Sequence, residues 1–438
     1  MTMEIEQIGM KAGHSELGPK RLIVEVVKSE DGFDKLEKEW KELVEKSDCT
    51  IYQTFEWQRT WWKYFGRGRE LHLLVLRDND EIVGIVPMFR EKVRWLGIMI
   101  ALALRVSGSE ESEYIDIITI PDRRPEVLQA LMGHLRSTIT RWDFFEMRDV
   151  SERSLTMQML PRYLESYGFG VYTYSGNICQ EVRLPKTWQD FLQHIGGNLR
   201  YQLKRKGERL RNNFHVELET VDEGYDAVET AVREFAVIHG GRWESLGYKN
   251  AFKDEHFLDF HVEVSRKFSH RGWLRMFFLK VDGRRVAVNY DFNFHDRIYF
   301  YQGNIHGPEE VMKYSPGFLL RCMAIEKGIA EGMVVYDMGR GHEAYKTNDF
   351  KCKSAGNWLI RATNQSTMSR VKFKVFLWSE LLGKIPKRLR RDYQDFRRFS
   401  MTRKPSISMV ISFLGLKGKE VMNLFAYNLS RFLHKAEG

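Results

Sequence analysis

Between positions 71 and 89 the chain reads LHLLVLRDNDEIVGIVPMF: two apolar runs of strand length around a polar turn, the pattern of a β-hairpin. The same pattern returns at 274–292 as LRMFFLKVDGRRVAVNYDF, and the two segments align without a gap. Leu71 and Leu274, Leu76 and Leu279, Val83 and Val286, and Phe89 and Phe292 are identical across the pair. Further on, WDFFEMRD at 142–149 is echoed by MVVYDMGR at 333–340. Two kinds of segment recurring in the same order predict a tandem duplication. An opening strand is predicted at 21–27, RLIVEVV, followed by helices around 33–44 and over 55–65. Each unit then reads helix, strand, strand, strand, helix, strand. That order predicts an α/β (α+β) layer fold with a mixed central sheet, antiparallel at the hairpin and covered by helices on both faces. The boundary falls near Pro185. The expected organisation is a flexible leader at 1–20, a first domain at 21–185, a second at 186–363 and a basic helical tail at 364–438.

Charge sharpens this division. Of 68 Lys+Arg and 59 Asp+Glu, 17 and 5 lie in 361–438, so the rest of the chain holds 51 against 54. The basic character is therefore a property of the tail, and the body lacks the basic, aromatic-studded surface that nucleic-acid binding requires. In the tail, Val371, Val375, Trp378 and Leu382 recur at helical spacing as one apolar stripe flanked by basic residues. Such a helix either lies on an anionic membrane surface or packs back onto the body. A second apolar piece, ISMVISFLGL, lies at 407–416. The N-terminus has no signal-peptide pattern, and the longest apolar runs, such as 95–104, are too short to span a bilayer. Cys49, Cys179, Cys322 and Cys352 are scattered without a paired spacing, which fits a reducing compartment and neither a disulfide framework nor a zinc site. A cytoplasmic protein is expected, peripheral on the inner face of the membrane if the tail binds there.

Three segments carry candidate chemistry. The first is KYSPGFLL at 313–320, directly after the predicted strand IYFYQGN. Pro316 suits a first helical turn and Ser315 suits the N-cap, so the helix would present free amide groups and a positive dipole end to a pyrophosphate. Gly317 keeps bulk away from that approach, and Phe318 follows it. The second is YDMGRGHEAYK, with Asp337, Arg340, Glu343, Tyr345 and Lys346. The third is the basic helix NLRYQLKRKGERLRNN at 198–213, either a solvated face or an arm for phosphates. No metal motif, nucleophilic triad or Walker loop occurs.

The order of RGWLRMFFLKVDGRRVAVNYDF, YFYQG, KYSPGFLL and YDMGRGHEAYK resembles the acetyltransferase family associated with cellulose and exopolysaccharide biosynthesis, within the GNAT superfamily. FEWQRTWWKYFG and the hairpin after it fit that family's first half, and the build is similar to that of Fem-type aminoacyltransferases. The likeness covers about residues 30–360. The spaced-glycine phosphate loop of single-domain GNAT enzymes is absent, and YSPG stands in its place. The resemblance implies tandem GNAT-like domains, the first degenerate and the second catalytic. It implies transfer of an acyl group from acetyl-CoA or another acyl-CoA to an amine or hydroxyl, on an envelope sugar or on a lipid amine such as a long-chain base. A catalytically silent binding or scaffold module is the alternative of another class.

That chemistry needs a base, a polarised thioester carbonyl and a proton for the leaving thiolate. Asp337 or Glu343 would serve as base, unless each closes a salt bridge. Tyr345 or Tyr301 would protonate the thiolate, and Lys346 and Arg340 would hold phosphate or the oxyanion. Ser315, Pro316, Gly317 and Phe318 would seat the cofactor. His239 and Arg242, in REFAVIHGGRW, match the family's helix in the second unit and are candidates for the acceptor site.

Overall fold

The computed structural model describes residues 22–383, apart from 96, 110, 222–223, 246–249, 342–345 and 348–349, and gives the backbone alone at 225, 241–245 and 381–383. The expected leader at 1–20 and the chain beyond 383, including 407–416, lie outside the described residues.

The first unit begins with strand β1 (Ile23–Val27) and helices α1 (Glu30–Lys35), α2 (Glu37–Glu45) and α3 (Phe55–Phe65). Strands β2 (Glu70–Asp78), β3 (Glu81–Trp95), β4 (Ile98–Val106) and the short β5 (Ile118–Thr119) follow. Helix α4 (Arg124–Ser137), β6 (Phe144–Ser151), α5 (Leu155–Ser166) and β7 (Gly170–Arg183) complete it. The second unit adds α6 (Trp188–His194), α7 (Gly197–Asn213), β8 (Val216–Thr220), α8 (Tyr225–Ser245) and α9 (Glu255–His270). It continues with β9 (Leu274–Val281), β10 (Arg284–Phe294), β11 (Arg297–Ile305), the single turn α10 (Glu309–Met312) and α11 (Pro316–Ala330). Strands β12 (Val335–Arg340) and β13 (Lys353–Thr363) precede the last described helix, α12 (Thr367–Gly383).

The duplication is visible in the strand registers. Leu71 faces Phe89 and Leu76 faces Gly84 across β2/β3, while Leu274 faces Phe292 and Leu279 faces Ala287 across β9/β10. These are the same pairs displaced by the offset of the sequence repeat. The second hairpin turns at Asp282 and Gly283, both at positive φ (48° and 78°), the geometry that a tight two-residue connection demands. In each unit the third strand then pairs parallel with the strand after the crossover helix: β4 with β6 from Ala103↔Phe144, and β11 with β12 from Arg297↔Val335. The sheet is thus mixed.

The two units share one sheet, ordered β1-β2-β3-β4-β6-β13-β7-β12-β11-β10-β9-β8. Each unit lends its last strand to the other. β7 pairs with β12, and β13 inserts between β6 and β7. One face of the sheet is covered jointly, because Trp57 of α3 packs edge-on to Phe260 of α9 at 5.2 Å between ring centroids. That cluster includes Trp40, Trp61, Phe235 and Tyr290 and runs across both units. A single large-to-small change there, such as Trp57→Ala, removes about 3–5 kcal/mol. The opposite face is covered unit by unit, by α4 and α5 over the first and by α7 and α11 over the second.

Helix α12 packs on the body, but not through the stripe. Its buried apolar residues are Phe373 and Phe376, which pack on Phe144, Ala101 and Ala103. From the stripe, Val371 and Trp378 point the other way, 50% and 53% exposed. Packing onto the sheet therefore uses the face on which Phe373 and Phe376 fall, and the stripe is left outward.

Candidate functional site

Parallel pairing of β11 with β12 stops at Tyr299↔Asp337. Beyond that point the strands part, and α11 starts beside the far end of β11. The opening between them leads into a cavity of about 950 Å³. Its walls come from β10, β11, β12, α7, α8 and α11, and from the loop after β4 in the first unit.

One end of the cavity is the N-terminus of α11. Ser315, Gly317 and Phe318 line it, while Pro316 is buried beneath. Ser315 does not cap the helix as expected: it sits in the left-handed region at φ 56° and its side chain makes no capping bond. Its Oγ instead accepts from Lys206 Nζ of α7 at 2.8 Å. The Phe318 and Leu319 amides donate to the Ser315 carbonyl (3.0 and 3.2 Å), so the helix start offers the Gly317 amide and the positive end of its dipole, and it gains a cation. Gly317 is required there, because a Cβ would stand 2.7 Å from Ile305 Cγ2. Of the basic residues on α7, Arg200, Lys204, Arg205, Arg209 and Arg211 face solvent. Lys206 lines the cavity.

The other end is acidic and aromatic. Tyr301 on β11 lines it, with its hydroxyl 3.4 Å from Nε2 of the buried His261. Burial, and then the charges of Glu111 and other neighbours, push the Tyr301 phenol well above its ordinary range, so it keeps its proton. Glu111 and Glu113 arrive from the first unit. Their loop is fixed by Trp57 Nε1 donating to Ser112 Oγ (2.9 Å), Asn357 Nδ2 donating to the Glu113 carbonyl (2.6 Å), and Trp61 Nε1 donating to Glu111 Oε2 (2.8 Å). Burial pushes the Glu113 carboxyl up to about 7; Arg340 opposes the shift, and Asp337 and Asp149 add to it. Asn289, 1% exposed, lines the cavity as well, and its Nδ2 has no hydrogen-bond partner among the described residues.

The remaining predicted residues divide. Arg340 lines the acidic end, where Nε is 2.8 Å from Glu113 and Nη2 is 3.5 Å from Asp149. Lys346 is 2% exposed and donates from Nζ to the Arg340 carbonyl at 2.7 Å, bracing the turn through Gly339 and Gly341. His239 lines the cavity, and burial lowers it to about 4, so it is neutral near pH 7. Asp337 is outside the cavity lining. Its buried carboxylate accepts from Tyr114 Oη (2.6 Å) and the Gly339 amide (2.8 Å) and stands 3.3 Å from Arg297. The salt-bridge alternative, and not a base facing the cavity, describes its surroundings. Glu343, Tyr345 and the side chain of Arg242 lie outside the described residues. Glu111 and Glu113 were missed because their segment, SGSEESEY at 107–114, belongs to the unit read as degenerate. Its serines and acids carry no recognisable motif.

Residues 197–347 match the family model described as an acetyltransferase (GNAT) domain. That segment makes the chain an acyltransferase, and the domain implies use of acyl-CoA. No curated protein matches the sequence. Among solved structures, FemX is similar at 12% identity and a TM-score of 0.56, over 74% of this chain and 95% of FemX. The L-PGS from Bacillus licheniformis follows at 13% identity and 0.46, over 77% and 95%. A tandem GNAT protein from the clavulanic acid biosynthesis pathway follows at 11% and 0.41, over 78% and 100%. At these identities the likeness to FemX speaks for the fold, two GNAT-like units in tandem.

Proposed function

We propose that this acyltransferase moves an acyl group from acyl-CoA to an amine (or hydroxyl) acceptor in cell-envelope polysaccharide or lipid biosynthesis. The observation that carries the proposal is the polarity of one cavity: a cation and a helix N-terminus at one end, and a raised carboxyl beside a protonated phenol at the other. Lys206, Ser315 and Gly317 would hold the pyrophosphate, since a doubly anionic group gains from a cation, the positive end of a helix dipole and the absence of a Cβ. The close approach of Gly317 to Ile305, which leaves no room for a Cβ, supports this seat.

In the reaction the acceptor nitrogen attacks the thioester carbonyl carbon. A C–N bond forms and the C–S bond breaks. Glu113 takes the proton from the nitrogen, and Tyr301 gives its proton to the thiolate. Positioned acid–base groups of this kind contribute about 10²–10⁴-fold. Arg340 and Lys346 act as positioning residues, holding Glu113 and the β12 turn. In this reading the second unit, 186–363, is the donor domain, and the first, 21–185, completes the site.

The cellulose- and exopolysaccharide-associated family resemblance supports a sugar acceptor. The outward stripe of α12, with Val371 and Trp378 exposed beside Arg370 and Lys374, supports a lipid amine acceptor reached at an anionic membrane surface. Isothermal titration with acetyl-CoA and a long-chain acyl-CoA tests the donor assignment. Binding of either supports it, and folded protein that binds neither overturns it in favour of the silent scaffold. Flotation of the full-length protein with anionic liposomes tests the membrane assignment. Flotation lost in Val371→Ser/Trp378→Ser is the expected result.

A further inference from the structure

Resting on the reading that the protein works at an anionic membrane surface, we infer that the tip of the β3/β4 hairpin is a second contact with that surface, separate from α12. Trp95, Ile98 and Met99 enter among the lipids, and Lys92 and Arg94 meet the headgroups.

The two units, alike in register elsewhere, part at this hairpin. Between Phe89 and Arg105 the first unit has fifteen residues, 90–104, whereas between the matching Phe292 and Tyr299 the second has six, 293–298. The second unit turns at once through the polar pair His295 and Asp296, with Phe294 facing Arg297. In the first, the nine additional residues carry the hairpin past its neighbours. Strand β2 last pairs with β3 at Glu70↔Arg90, and β6 first pairs with β4 at Ala103↔Phe144. Strands β3 and β4 continue together from Glu91↔Ala103 to Trp95↔Ile98. A two-stranded ribbon thus runs on by roughly 14 Å, at about 3.4 Å per residue.

This ribbon is apolar where it is most exposed. Ile98 is 70% exposed and Met99 47%. Along β3 the exposed Lys92 and Arg94 alternate with the half-buried Val93 and Trp95, and residues 92–104 include no acid. Helix α12 covers the base of the ribbon, where Phe373 and Phe376 share a cluster with Val93, Ile100 and Ala101. That cover stops short of Ile98 and Met99.

Charge decides what meets the tip. The acids nearby are engaged: Glu91 with Arg69 and Arg105, Asp143 with Lys372, and Glu380 with Arg361. Lys92 and Arg94, together with Arg370 and Lys374 on the outward side of α12, leave the surface basic. A second copy would bring the same cations to the edge of β3 past Arg90, and basic side chains on an edge oppose pairing. The chain after 383, with 13 Lys+Arg against 4 Asp+Glu, also has the wrong sign. An anionic bilayer has the right one. Tryptophan suits its boundary, apolar side chains suit the acyl region, and long basic side chains reach back to the phosphates.

The test uses the full-length protein with vesicles of phosphatidylcholine, alone or with an equal part of phosphatidylglycerol. Wild type is expected to float with the mixed vesicles and not with phosphatidylcholine alone. Ile98→Ser/Met99→Ser, at exposed positions, is expected to weaken flotation by about tenfold or more with an unchanged thermal midpoint. Lys92→Glu/Arg94→Glu is expected to do the same. An environment-sensitive dye on Met99→Cys is expected to shift to the blue with the mixed vesicles. Dye-treated wild type, the control for the native thiols, is expected not to. Undiminished flotation of Ile98→Ser/Met99→Ser, or an unresponsive dye at 99, overturns the inference and leaves the α12 contact standing, which Val371→Ser/Trp378→Ser tests separately. Wild type that does not float overturns both. A concentration-dependent dimer dissolved by Ile98→Ser/Met99→Ser, in protein that does not float, overturns the inference in favour of a second copy.

Discussion

The two units place the same strands in the same register and then treat the cleft beside them differently. In the second unit β11 runs on to Ile305 past its last parallel pair, the strands part, and a cavity of about 950 Å³ opens. In the first, β4 ends at Val106, one residue past its last pair, and the corresponding space is about 100 Å³. Ion pairs fill it. Glu146, the counterpart of Asp337, is 1% exposed and meets Arg105 at 3.0 Å, Arg148 at 2.8 Å and Arg361 at 2.6 Å. Arg105 stands where the second unit has Tyr299. The crossover helices differ too. At the start of α4 the fully buried Arg124 is tied to Asp48 (2.7 Å) and Asp116 (3.1 Å), whereas α11 starts with Pro316 and Gly317 at the cavity. Duplication has thus left one cleft open and closed the other with salt bridges. The sealed unit still contributes, because the chain leaving its shortened β4 becomes the acidic wall of the open one.

The largest expected effect of breaking this contrast is at that wall. Glu113→Gln is expected to lower kcat by about 10²–10⁴-fold with little change in acyl-CoA affinity. The wild-type rate should rise with pH through about 7, where the carboxyl loses its proton, and that limb should vanish in the variant. A kcat–pH profile of both proteins checks this.

The next effect is on stability and belongs to the sealed cleft. Glu146→Gln leaves three guanidinium groups short of a buried partner and is expected to cost about 3–5 kcal/mol in urea unfolding. Neighbouring arginines, Arg105 first, overcome desolvation and hold the Glu146 carboxyl down at about 2. Because the folded value lies below the unfolded one, its contribution is complete above the ordinary glutamate range of about 4.3 and is lost as pH falls toward 2. The difference in stability between wild type and Glu146→Gln should therefore shrink over that acid window.

A smaller effect is expected at the phosphate end. Lys206→Ala removes a charge-assisted contact worth about 1.5–3 kcal/mol, a loss of roughly 10–100-fold in acyl-CoA affinity by calorimetry. The smallest is Trp378→Ala on the outward face of α12, within about 0.5 kcal/mol in thermal unfolding. Phe376→Ala, from the buried face, is expected to cost about 3–5 kcal/mol.

What could be read from the sequence was local and periodic. The hairpin repeat gave the registers because alternation of apolar residues dictates which residues face each other. YSPG located the start of α11 because proline and glycine restrict the backbone in known ways. What could not be read depends on partners distant in the chain. The left-handed turn at Ser315 and its bond to Lys206 join residues 109 positions apart. The exchange of β7 and β13 between units has no periodic signature. The burial of Phe373 and Phe376, in place of the stripe through Val371 and Trp378, is settled by the shape of the sheet beneath α12. Glu113 is an acid in a serine-rich loop until Asn357, Arg340 and the cavity surround it.

The central claim, one ligand cleft opened and its twin sealed, is tested most directly by the stoichiometry of acetyl-CoA binding to the full-length protein in isothermal titration, wild type beside Gly317→Leu. One site per chain, lost when the leucine side chain fills the space beside Ile305, is the expected result. Two sites per chain, none, or undiminished binding by Gly317→Leu would contradict it.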